Sequence, residues 1–175
     1  MMRSPLYKIS FRYGLVAGVL SFVLLVALYY MGRHPFMIAP YLDFRILLFG
    51  IFIFFSLKEV RDYYQNGELY FWQGMIGGAI VVVLAGMLSA GGLIVFGALE
   101  PDFVASYVKK MTAYLQTFSK EDIARIGNEV FDRNLKALPA TNIYKLAETY
   151  FAQGLAIGFF VSIILSVITR KQPKN

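Results

Sequence analysis

The 175-residue chain has no cysteine, one histidine and one tryptophan, and only 16% of its residues are charged. Soluble domains average about 25% charged residues, so the shortage of charge argues against one. Without cysteine, disulfides, thiolate metal sites and cysteine nucleophiles are excluded. His34 lies in a Gly-Arg-His-Pro connection with no second ligand-type residue at metal spacing. It reads as a solvated loop residue, and no metal or cofactor is expected. No Ser-His-acid or paired-carboxylate pattern stands out either. Ser21, Ser162 and Ser166 fall in apolar stretches, and the outer acids have basic neighbours one helical turn away. No catalytic residue is therefore expected, and the chain reads as a non-enzyme.

Apolar sequence is abundant: 58% of residues are hydrophobic and 17% aromatic, with a mean hydropathy of +0.57. Leu69–Leu99 runs 31 residues without a charge, whereas about 20 apolar residues cross a bilayer. Tyr13–Gly32 and Thr149–Thr169 meet the same length test. The first is too long for a signal peptide, whose apolar core is about 7–15 residues. Ile46–Leu57 is apolar but only 12 residues long. It becomes a span if extended to 41–60, with Arg45 snorkelling to one interface and Lys58, Glu59 and Arg61 marking the other. A re-entrant segment is the alternative.

The net charge of +6 could suggest nucleic acid. The basic residues flank apolar spans, however, where they fix orientation and meet lipid headgroups, so no nucleic-acid partner is expected. Residues 1–12, 58–69 and 170–175 hold eight Lys and Arg in 30 positions, against nine in the 65 positions of 33–45 and 98–149. The doubled density puts both termini in the cytoplasm.

The expected fold is all-α: one membrane domain over 1–175, a four-helix bundle with spans near 13–32, 41–60, 70–97 and 149–169. An amphipathic helical hairpin near 98–148 lies between the third and fourth spans. The third span must tilt, project or break at Ser89-Ala90-Gly91-Gly92. A helix is expected from Asp102, after Pro101. Another follows the Ser119-Lys120-Glu121-Asp122 capping box and continues to Pro139. Its apolar stripe, Ile123, Ile126, Val130, Phe131 and Leu135, is expected to pack on Phe103, Tyr107, Met111 and Tyr114.

Several strings carry a resemblance. They are Tyr13-Gly14-Leu15 with Gly18 one turn on, the Lys58–Gly67 connection into Phe71 and Gly74, Glu100-Pro101-Asp102, and Gly154 to Arg170. Over essentially the whole chain these resemble a family of small bacterial membrane proteins known as domain of unknown function 4199. The resemblance implies a four-span, multi-pass protein of the bacterial cytoplasmic (inner) membrane. It brings no activity and no catalytic residues.

Gly154, Gly158, Ser162 and Ser166 recur at a spacing of four, and Gly14/Gly18 and Gly74/Gly78 repeat the pattern. Small residues so spaced let helix backbones approach closely. They predict either a seam to a partner or homo-oligomer, or packing inside one bundle. Glu68–Gly74 and Glu148–Gly154 share E-x-Y-F-x-Q-G, 80 residues apart. This reads as two interfacial helix entries or as a duplicated half, with Gln73 and Gln153 as intramembrane hydrogen-bond candidates. Spans one, three and four hold no ionisable residue, which weighs against coupled transport. Asp43 and Arg45, near a boundary, suggest an interface anchor. The sequence thus points to an accessory or scaffold subunit in lipid, with a facilitative transporter or channel-like protein as the alternative and interfacial lipid chemistry ranked last.

Overall fold

The computed structural model describes residues 4–172. Arg3 and Lys174, counted above among the flanking basic residues, lie outside them. The described chain is all-helical: α1 (Pro5–Tyr30), α2 (Phe44–Glu59), α3 (Phe71–Leu99), α4 (Asp102–Gln116), α5 (Lys120–Ile126), α6 (Asn128–Ala137) and α7 (Ile143–Thr169). By length and composition, α1, α3 and α7 can each cross a membrane. The 16 residues of α2 span only about 24 Å, short of the roughly 30 Å of hydrocarbon. A π-helical turn, Val60–Tyr64, prolongs α2 but carries Arg61 and Asp62.

Helix ends follow local chemistry. Pro5 occupies the first turn of α1, where a missing N–H costs nothing. Gly32 closes the helix at φ +78°, with Gly32 N–H donating to Tyr29 O and Arg33 N–H to Leu28 O. This is the Schellman arrangement, which needs a residue tolerant of the left-handed region. Asp43 caps α2 through Arg45 N–H, and Asn142 caps α7 through Lys145 N–H. Ser119 and Asp122 form the expected reciprocal box.

Two expectations change. The helix after Ser119 is not continuous: Gly127, at φ +97°, separates α5 from α6. The third span does not break at Ser89–Gly92. The Ser89 hydroxyl donates to Ala85 O, and Gly92 lies against the Phe22 ring instead of opening a bend. In hydrocarbon an interrupted helix would strand backbone polar groups, which favours continuity.

α3 packs along both α1 and α7, while α2 lies against α7 and α1. Residues 60–70 and the far ends of α1 and α7 share one end of the molecule, joined by backbone pairing between Leu69 and Lys171. The 31–43 connection and α4–α6 occupy the other. On α7 the packing inverts that of a helix in a soluble protein. The buried face is Gly154, Gly158, Ser162 and Ser166, while Phe160, Ile164 and Ile168 are more than half exposed. Large apolar groups outside and small residues at the helix contacts fit lipid as the solvent.

Candidate functional site

At the end bearing α4–α6, the chain buries a charge. Arg45 is only 4% exposed. It does not snorkel outward as an interface anchor; its side chain turns inward against α7. The cause is local. Asp43, fixed as the α2 cap, accepts from Arg45 Nε at 2.9 Å and from Nη2 at 2.5 Å. Nη1 donates to Tyr150 O at 2.5 Å, Nη2 reaches Gln153 Oε1 at 3.4 Å, and the guanidinium sits 3.9 Å from the Tyr150 ring centroid. A guanidinium moved from water must have its donors occupied and its charge balanced, and this knot does both. Gly154 makes room for it: a Cβ there would stand 3.1 Å from Nη1.

Beside the knot lies a half-enclosed cavity of about 60 Å³, walled by Ser21, Leu25, Phe36, Asp43, Arg45 and Gln153 among others. The Ser21 hydroxyl is 2% exposed and has no hydrogen-bond partner among the described residues.

A second cluster holds α4 in place against the end of the membrane helices. His34 is 2% exposed, which corrects its reading as a solvated residue. Its ring lies among Tyr29, Phe36, Phe103 and Tyr107, and Nε2–H donates to Phe103 O at 3.1 Å. Lys110 donates to Gly32 O. Phe103 and Tyr107 therefore pin α4 to the 31–43 connection, while Tyr107, Met111 and Leu115 also border Asn134 and Ala137 of α6. Of the stripe on α5 and α6, Phe131 stacks near Phe118, while Ile126 and Val130 stay 44% and 38% exposed.

Burial pushes the His34 imidazole below its ordinary value, and Lys110 adds to the shift against a partial offset from the Phe103 carbonyl. Nδ1 has no partner among the described residues, so a second proton there would be buried without an acceptor. The released state binds that proton more readily, so docking is complete above about pH 6.5 and weakens as pH falls below it. Protection of the α4 amides, taken relative to their intrinsic exchange rates at each pH, is expected to fall on acidification through that range. The His34→Gln variant, which keeps a donor and loses the titration, is expected to give a flat profile.

The remaining candidate residues divide among contacts. A Cβ on Gly74 would meet Ser166 Cα at 3.0 Å, and one on Gly78 would meet Ser162 Cβ at 2.8 Å. A Cβ on Gly14 would stand 3.1 Å from Val81 Cα of α3, and one on Gly18 3.0 Å from Ala85 Cα. Gly158 abuts Val82. These contacts all fall within one chain. Gln73 accepts from Tyr70 N–H and so caps α3, whereas Gln153 reaches across to Arg45. The first E-x-Y-F-x-Q-G copy leads into α3; the second lies inside α7, which begins at Ile143. At the opposite end, exposed Arg12 and Tyr13 both donate to Glu59, at 2.7 and 2.8 Å. So exposed an ion pair adds little.

One protein-family profile, described as "Protein of unknown function (DUF4199)", matches residues 12–171. The chain belongs to the DUF4199 family. No curated protein and no solved structure matches it. The matched range of this DUF4199 chain takes in the Arg45 knot, the cavity and the His34 cluster. Function must be argued from these sites, because a family without an assigned activity adds none.

Proposed function

We propose that this DUF4199 chain is a non-enzymatic accessory or scaffold subunit of the bacterial inner membrane. In this reading α1, α2, α3 and α7 form a four-helix bundle, both termini are cytoplasmic, and α4–α6 form a helical cap outside. The observation that carries it is the cap itself. Aromatic packing around His34 pins α4 to the membrane helices, while Ile126 and Val130 on the far helices keep more than a third of their surface exposed. Apolar groups held out on a pinned cap suit a protein partner, and α5 and α6 carry Lys120, Arg125, Arg133 and Lys136 balanced by Glu121, Asp122, Glu129 and Asp132. A helix made for anionic lipid carries an excess of basic residues on its polar face.

The facilitative-transporter reading finds less support. Along α1–α3 and α3–α7 the helices meet closely, with neighbouring backbone against Gly18 and Gly74 and the Ser162 side chain against Gly78.

Extraction in mild detergent after brief cross-linking is expected to recover a second membrane protein in fixed ratio. Its yield should collapse when Ile126 and Val130 are both changed to Asp. Recovery of the chain alone, together with substrate flux in liposomes, would replace the scaffold by the transporter.

Orientation has its own test. Cysteines placed at Ser119 and Thr141 are expected to react with an impermeant thiol reagent in intact cells, and one at Gln172 is not. The reverse pattern would invert the topology.

A further inference from the structure

We propose that the cavity beside Arg45 and the groove along α2 together hold one membrane lipid, with an ester carbonyl at Ser21 and an acyl chain along α2. This rests only on the chain residing in a bilayer and is independent of the scaffold role.

Ser21 supplies the first reason. A buried hydroxyl without a partner is costly, and this one lines a cavity whose other walls are mostly Leu, Phe and Ile. Such a site, polar on one side and apolar on the other, suits an amphiphile. Charge gives the second reason: Asp43 already balances Arg45 across three hydrogen-bonded contacts, so the cavity is neutral and favours an uncharged acceptor. Size gives the third. A volume of about 60 Å³ takes a handful of waters at roughly 10–15 Å³ each, or one ester group. A phosphate or sugar headgroup would have to stay outside.

The apolar continuation is on the page as well. The cavity and an open groove share Asp43 and Phe44 as walls, and the groove runs along Ile46, Leu47, Gly50 and Phe54 to Leu165 of α7. Gly50 leaves a notch in it: a Cβ there would meet nothing within 4 Å. Depth agrees. Because α2 is short, its polar end is recessed: Tyr150 lies seven residues into α7 and Ser21 nine residues from the end of α1. At 1.5 Å per residue these are about 10 and 14 Å below the outer helix ends. In this geometry the Ser21 hydroxyl donates to the ester carbonyl, and the chain covers the exposed side of α2.

The test uses the full chain in vesicles of phosphatidylcholine doped with an analogue that carries a diazirine in one acyl chain. After irradiation, labelling is expected to concentrate between Ile46 and Phe55 and at Leu165, above the level on Phe160 and Ile164, which also face outward. Ester phosphatidylcholine as the bulk lipid should compete with the probe, and matched vesicles replace that bulk by the ether-linked lipid. The ether-linked analogue, lacking the carbonyl, should compete about fivefold less well, the equivalent of one hydrogen bond. Ser21→Ala should lower the labelling by a similar factor, and Gly50→Phe should abolish it by filling the notch. Each variant is compared at an unfolding midpoint matching the parent; should Gly50→Phe fail to fold, Ser21→Ala and the ether competitor decide. Even labelling over all outward faces, or indifference to both Ser21→Ala and the carbonyl, would mean that the cavity holds water only and would overturn the proposal.

Discussion

Replacing Arg45 by leucine is expected to lower stability by about 3–5 kcal/mol, the usual cost of removing one member of a buried ion pair. The loss exceeds the contact itself because of what remains. Asp43 keeps its charge at 19% side-chain exposure, and Tyr150 O and Gln153 lose their donors. Arg45→Lys keeps the charge but not the flat fork that reaches Asp43 and α7 together, so an intermediate loss is expected. Asp43→Asn keeps a good helix cap yet strands the guanidinium and should cost nearly as much as Arg45→Leu. The double variant should then lose clearly less than the sum, since the second change removes an unpaired charge. Unfolding by SDS in mixed micelles measures all four. An Arg45→Leu loss near 0.6 kcal/mol, the average for a polar contact between membrane helices, would show that the knot is hydrated and not a buried pair.

The same knot shows where sequence reading stops. The long helices were legible because an uninterrupted charge-free run has few alternatives in water, and Pro101, Asn142 and Ser119 mark helix starts by local chemistry that needs no tertiary partner. The polar ends of helices were not. α1 begins at Pro5, well before the uncharged stretch, so Lys8 and Arg12 sit on a helix already under way. α7 begins at Ile143, so Lys145 and Glu148 sit on a helix already under way. The direction of Arg45 depended on Tyr150 and Gln153, more than 100 residues distant, and nothing adjacent to Asp43 announces them. One signal was present but merged with another. Gly154 continues the spacing of Gly158, Ser162 and Ser166, yet it accommodates a guanidinium and not a helix backbone. His34 misled for a related reason: a Gly-Arg-His-Pro connection reads as solvated, and only the arrival of α4 over it excludes water.

Gly158→Ile is expected to cost about 1–3 kcal/mol, because its Cβ would overlap Val82 on the facing helix. A Cβ at this position would stand 2.9 Å from Val82 Cβ and closer still to both Val82 methyl groups. Val82 cannot swing aside easily, since a β-branched side chain in a helix is confined to one main rotamer. Relief must come from separating α3 and α7. That separation would also loosen Gly78 against Ser162 and Gly74 against Ser166, one and two turns along the same contact. The loss should therefore exceed what a single clash would give, and it should appear in the unfolding midpoint and as new protease sensitivity near the α3–α7 contact. Phe159→Ile supplies the control on the same helix. Phe159 is 55% exposed and trades one outward apolar group for another, so its change should stay within about 0.5 kcal/mol. Equal losses from the two substitutions would remove the reason for assigning this face of α7 to close packing.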